Sequence, residues 1–132
     1  MSDQAQTIQD YLAEGPWAVV GASTDPAKYG NRVLRAYIEQ GREVYPVNPG
    51  AREVEGLQAY PDLESVPATV RGISVITPPA VTERVVEAAA RKGVRFVWMQ
   101  PGAESDAAIE RARALGLEVI AGGPCFLVAS RS

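Results

Sequence analysis

Trp17-Ala18-Val19-Val20-Gly21-Ala22-Ser23-Thr24-Asp25-Pro26-Ala27-Lys28-Tyr29-Gly30-Asn31-Arg32 opens with four apolar residues, turns at a glycine and runs through small polar residues into a new segment. In that segment Val33, Leu34, Tyr37 and Ile38 recur at helical spacing. A short buried strand, a glycine-containing loop and an amphipathic helix form the opening unit of a parallel sheet covered by helices. Four further short apolar runs repeat it: Glu43-Val44-Tyr45-Pro46-Val47, Ile73-Ser74-Val75-Ile76, Arg95-Phe96-Val97-Trp98-Met99 and Leu117-Glu118-Val119-Ile120-Ala121. Pro46 lacks a ladder donor, so its strand is expected at or near an edge of the sheet.

Amphipathic segments alternate with these runs. Ile8, Tyr11 and Leu12 precede the first; Val81, Val85, Ala88 and Ala89, then Ala108, Ile109, Ala112 and Leu115, separate the later ones. Gly15, Gly41, Gly93 and Gly116 each follow such a segment and are expected to end it as left-handed caps. Thr77-Pro78-Pro79 predicts a helix start with Thr77 as the cap. The stretch 49–72 breaks the rhythm and predicts a short strand at Val54–Leu57 and one helical turn at Asp62–Ser65. The fold class is therefore α/β: a Rossmann-like three-layer sandwich, its mainly parallel sheet of five or six strands carrying helices on both faces. A chain of 132 residues, 1–132, is the size of a single domain.

Composition narrows the function. Thirteen Lys and Arg against sixteen Asp and Glu give a net charge of −3, which supplies no basic field for nucleic acid or an anionic membrane. A lone cysteine, Cys125, and no histidine exclude an internal disulfide and a Cys/His metal centre, and no signal-like or membrane-length apolar run occurs, so a cytoplasmic protein is expected. No Ser-His or Cys-His pair can be assembled, Ser23 lies outside a nucleophile-elbow motif, and Glu83, Glu87 and Glu110 read as solvated helix faces. Cys125 reads as a small buried hydrophobe and Trp98 as core. No catalytic residue is assigned.

Ligands of such sheets bind beyond the carboxyl ends of the strands. Those ends carry Gly21-Ala22-Ser23, Asn48-Pro49, Thr77-Pro78-Pro79, Gln100-Pro101-Gly102 and Gly122-Gly123-Pro124, residues that admit close backbone approach and leave N–H groups for phosphate. The first loop, with Lys28, Tyr29, Gly30 and Arg32, is the natural pyrophosphate cradle; the lesser alternative is that Gly21 and Gly30 serve only to shape a tight turn. It lacks the G-x-G-x-x-G fingerprint, and Asn48 stands where an acidic residue would hold a nicotinamide dinucleotide's ribose, which weighs against an oxidoreductase. Arg52, Lys28 and Arg32 can each pair with a phosphate or remain solvated charges.

From Trp17 to Val128 the ordered set of motifs resembles the small stand-alone CoA-binding proteins, similar to the N-terminal CoA-binding domain of the succinyl-CoA synthetase alpha subunit and ADP-forming acyl-CoA synthetases. The carriers are Val19-Val20-Gly21-Ala22-Ser23, Tyr45-Pro46-Val47-Asn48-Pro49, Val54-Glu55-Gly56-Leu57, Tyr60-Pro61-Asp62-Leu63, Thr77-Pro78-Pro79, Trp98-Met99-Gln100-Pro101-Gly102-Ala103 and Gly123-Pro124-Cys125. The resemblance implies coenzyme A or an acyl-CoA as ligand, with Gly21, Ala22, Ser23, Tyr29 and Gly30 at the diphosphate and Asn48, Pro49 and Arg52 at the nucleotide end. Thr77, Pro78, Pro79, Gln100, Pro101 and Gly102 would line the crevice. Many relatives have a lysine after Asn-Pro where this chain has Gly50, leaving Arg52 as the substitute. The synthetases require a histidine and further domains, so what carries over is non-catalytic binding; a synthetase subunit completed by a partner's histidine is the alternative. Gly21→Val is expected to leave a folded domain whose new side chain fills the phosphate space.

Overall fold

The computed structural model describes residues 3–131. After helix α1 (Gln4–Ala13), strand β1 (Trp17–Val20) leads into α2 (Tyr29–Glu39) and β2 (Val44–Val47). A hairpin, β3 (Glu53–Val54) and β4 (Leu57–Gln58), precedes β5 (Gly72–Val75), α3 (Pro79–Lys92), β6 (Phe96–Met99), α4 (Asp106–Ala114), β7 (Glu118–Ile120) and the short α5 (Phe126–Ala129). The five long strands form one parallel sheet in the order β2-β1-β5-β6-β7. This is the expected α/β architecture, and the chain reverses its direction of travel across the sheet between β1 and β5.

Alternation along the strands sorts the core into two layers. Ala18, Val20, Ile73, Val75, Val97 and Met99 face α3 and α4, where Val86, Ala89, Ala108 and Ala112 cover them. Trp17, Val19, Phe96, Trp98 and Ile120 face the other way, against Tyr11 of α1, Val33, Leu34 and Tyr37 of α2 and Phe126 of α5. That second layer is aromatic: Tyr37 stacks on Phe126 at 3.9 Å, and Trp98 meets Tyr11 edge-on at 5.1 Å. Gly72 has no side chain because a Cβ there would lie 2.6 Å from the Tyr11 ring.

Pro46 does lie on the edge strand. Its carbonyl accepts from Tyr60 N–H at 3.0 Å, so its ring nitrogen also faces away from β1 and no ladder bond is lost. Tyr60 adds a single parallel bridge to Val47 beyond that edge.

Four local expectations need correction. The single strand expected at Val54–Leu57 is an antiparallel hairpin, Val54 in β3 pairing with Leu57 in β4, with Glu55 and Gly56 at φ of 50° and 79° reversing the chain between them. Asp62–Ser65 forms a turn instead of a helical one: the Asp62 carboxylate accepts from both the N–H and the hydroxyl of Ser65, at 2.8 and 2.6 Å. At α3 the cap residue is Pro78, and the Thr77 hydroxyl instead meets that of Thr82 at 2.8 Å. Gly41, Gly93 and Gly116 take the left-handed conformation, but Gly15 does not; its Cβ would run into the Trp17 ring.

Candidate ligand site at the carboxyl edge

The first loop is built by close packing. Gly21 has φ of 97°, and a Cβ there would strike the Ile76 carbonyl oxygen at the end of β5; a Cβ on Gly30 would strike the Gly21 carbonyl oxygen. Both glycines thus let the start of α2 and the end of β5 close onto the end of β1. The geometry runs against the expectation that Gly21→Val leaves an intact fold, because a Cβ there meets the Ile76 backbone.

Asparagines tie the loop to its neighbours. Asn48 Nδ2 donates to the Ala22 carbonyl at 2.9 Å while its Oδ1 accepts from Gly50 N–H at 2.7 Å, joining the loops that follow β1 and β2. Asn31, fully buried, donates to the Ser23 carbonyl at 2.9 Å and to Glu55 at 3.0 Å, and accepts from Arg35 at 2.7 Å. Sequence reading passed over Asn31; its one signal was a polar residue on the otherwise apolar inner face of α2.

The amino end of α2 has an unusual charge pattern. Its cap residue, Lys28, makes no side-chain capping bond, and its first turn holds no acidic residue. Lys28 and the exposed Arg32 therefore sit at the positive end of a helix dipole, unfavourable for a bare helix and favourable beside an anion.

Three adjoining clefts run along the carboxyl edge. One, of about 440 Å³, lies at the β1/β5 switch between Val20, Gly21, Val47 and Pro49 on one side and Thr77, Val81, Arg84 and Val85 on the other. The second, of about 400 Å³, shares Thr77 and is walled by Tyr29, Pro78, Pro101 and Gly102. The third, of about 490 Å³, shares Tyr29 and includes Arg32, Arg35 and Cys125.

Of the residues nominated from sequence, Gly21, Tyr29, Arg32, Pro49, Thr77, Pro78, Pro101 and Gly102 line these clefts. Ala22, Gly30 and Gln100 are buried beneath them, Ser23 and Asn48 are half-buried in the loops, and Lys28 and Pro79 are exposed at the amino ends of α2 and α3. Arg52 is exposed beside the hairpin and lines none of the three clefts.

Gln100 belongs to a polar chain under the site. Its Oε1 accepts from Tyr29 at 3.1 Å and from Phe126 N–H at 2.9 Å, while its Nε2 donates to Ser74 at 3.2 Å. Ser74 meets Tyr37 at 2.8 Å, and Tyr37 meets Tyr11 at 2.5 Å. Tyr29 directs its proton to Gln100, so the half-buried Cys125 thiol is the donor in their 2.6 Å contact. Burial pushes the ionisation of Tyr11, Tyr29 and Tyr37 well above the usual tyrosine range. Cys125 is thus a half-buried polar partner at the cleft wall, a correction to its reading as a small buried hydrophobe, whereas Trp98 is core as expected.

Among the described residues no group of three or more His, Cys, Asp or Glu is placed to hold a metal ion, and no helix is long and apolar enough to cross a membrane. A CoA binding domain matches residues 16–131. The chain belongs to the CoA-binding domain family. Similar proteins include the alpha subunit of an ADP-forming acetate–CoA ligase (isoenzyme II) of Pyrococcus furiosus, 37% identical over 81 residues, which are 61% of this chain and 18% of that subunit. An uncharacterized Bacillus subtilis protein is 27% identical over 103 residues, 78% of this chain and 76% of its own. This chain thus spans under a fifth of the length of the ligase subunit it matches. Among solved structures, a hypothetical protein from Pyrococcus horikoshii superposes with a TM-score of 0.91 at 31% identity, over 96% of this chain and 89% of that one. An acetyl-coenzyme A synthetase of Ca. Korarchaeum cryptofilum superposes with a TM-score of 0.69 at 34% identity, over 78% of this chain and 25% of that one.

Proposed function

We propose that this chain binds coenzyme A or an acyl-CoA along the carboxyl edge of its sheet and catalyses no acyl-CoA synthesis by itself. The observation that carries the reading is the amino end of α2, where two cations stand at the positive pole of a helix that has no side-chain cap and no acidic residue in its own first turn. A diphosphate reverses the sign of that electrostatic penalty. Gly21, Ala22, Ser23, Tyr29 and Gly30 would hold it, with Lys28 and Arg32 supplying charge. Asn48 would keep the two loops in register at the nucleotide end, beside Pro49. Thr77, Pro78, Pro79, Pro101 and Gly102 would wall the crevice taken by the rest of the ligand, with Gln100 supporting Tyr29 from below. Residence in the cytoplasm and one domain over 1–132 belong to the same proposal.

Calorimetric titration with CoA, acetyl-CoA and NADH tests it. Saturable binding of CoA or acetyl-CoA with Kd below about 1 mM, and weaker NADH binding, is expected. Absence of CoA binding to folded protein, or tight NADH binding that CoA does not displace, overturns the reading. The chain has no histidine, so nucleotide, carboxylate and CoA together should give no acyl-CoA; turnover by a partner-free preparation overturns that part. The similarity to a ligase alpha subunit favours a second reading, a CoA-binding subunit completed by a partner, which predicts synthetase chains co-purifying from the source cell.

A further inference from the structure

We infer that Arg84, on α3, recognises the 3′-phosphate that distinguishes coenzyme A from dephospho-CoA, a role that rests on the CoA reading above. The cleft at the β1/β5 switch has apolar walls from Val20 and Val47 on the sheet, Leu63 on the connection, and Val81 and Val85 on α3. It opens beside Pro49 in the loop after β2, so it suits the flat apolar faces of a purine at the nucleotide end.

Two guanidinium groups stand at this cleft, and they differ. Arg91 is held by Glu64 at 3.2 Å. The Arg84 side chain, exposed one turn beyond Val81, makes no hydrogen bond or salt bridge among the described residues. The acidic neighbour Asp62 is kept ionised by the hydroxyl and N–H of Ser65, which hold its carboxyl below the usual range. A phosphate monoester entering there meets one fixed negative charge and one uncommitted arginine, whose planar fork can bind two of its oxygens. Gly50 carries no charge, and Arg52 does not line the cleft.

The test titrates the wild-type chain, Arg84→Gln, Arg84→Lys and Arg52→Ala with CoA and with dephospho-CoA, with thermal melts confirming that each is folded. Arg84→Gln should weaken CoA by about tenfold or more and dephospho-CoA by less than about twofold, as loss of a charge-assisted contact to one phosphate requires. Arg84→Lys should recover part of the loss, and Arg52→Ala should leave both affinities within about twofold. Equal loss for both ligands, or no loss for either, overturns the role of Arg84, and selective loss in Arg52→Ala transfers it to Arg52. If the wild-type chain binds neither ligand, the CoA reading itself has failed.

Discussion

At the amino edge of the sheet the charges are matched. Glu14 takes Arg71 at 3.1 Å and Arg95 at 2.5 Å, and Arg95 reaches Glu118 at 2.6 Å, tying together the approaches to β1, β5, β6 and β7. Nearby, Arg42 lies over the Trp17 ring at 4.9 Å. At the carboxyl edge Lys28, Arg32 and Arg84 make no side-chain hydrogen bond or salt bridge among the described residues. The chain ties Arg71 and Arg95 into ion pairs at the amino edge and leaves Lys28, Arg32 and Arg84 without one at the carboxyl edge. The difference separates residues placed for stability from residues placed for a ligand, and each edge can be perturbed in turn.

The largest effect is expected where the carboxyl edge is itself structural. Gly21→Val combines a positive φ with a collision against the Ile76 carbonyl and should destabilise the fold by about 3 kcal/mol or more. Gly41→Ala is the control, since Gly41 has φ of 70° with nothing near its absent Cβ, and should cost only about 1 kcal/mol. Urea denaturation of both measures the difference. A Gly21→Val protein as stable as wild type would mean that β1, β5 and α2 do not close as described.

The polar chain from Tyr11 to Cys125 joins the buried interior to the ligand edge, and pH reads its burial. Folded Tyr11 and Tyr37 stay neutral above the pH, near 10, at which they ionise once unfolded. Unfolding there releases protons, so this stability is complete below pH 10 and is lost as pH rises through the folded values. The slope should approach about 1.4 kcal/mol per pH unit for each tyrosine. Denaturation between pH 9 and 11 should show it, and Tyr37→Phe should remove about a third, since Tyr29 is raised as well. A flat profile would mean that these hydroxyls ionise in the folded state.

Lys28→Ala with Arg32→Ala should weaken CoA by about 10- to 100-fold, as losing charge-assisted contacts to a diphosphate implies. The same double variant should be as stable as wild type without ligand, or more stable by up to about 1 kcal/mol, because it removes cations from the positive end of α2. Calorimetry and denaturation together decide; a less stable apo protein with unchanged affinity would return both side chains to a structural role.

The sheet was legible because its strands are short apolar runs with a helix period between them, and Pro46 marked the edge through a missing donor that no other residue has. The glycine loop was legible as a place of close approach, but not what approaches: the Cβ position of Gly21 points at Ile76, which depends on the parallel pairing of β1 with β5. The hairpin at 53–58 was misread because Glu55 at positive φ carries no turn signature by itself, whereas Gly56 does. Asn31 and Arg84 escaped for a related reason. Each lies on a helix whose pattern says only which face is apolar, and the partners that define them, Ser23 and Glu55 for one and the switch-point cleft for the other, come from distant parts of the chain.

The smallest expected effect is at the amino edge. Glu14→Gln removes the carboxylate shared by Arg71 and Arg95, but these side chains remain about a third or more exposed, so solvent already screens the pairs. A loss below about 1 kcal/mol is expected, shrinking as salt is raised, since Arg95 keeps Glu118. CoA affinity should not change, because Glu14 lies at the opposite end of the strands from the clefts. Denaturation at low and high salt, with one CoA titration, checks all three statements. Weakened CoA binding in Glu14→Gln would show that the two edges are coupled through the sheet, and the division between a stability edge and a ligand edge would no longer hold.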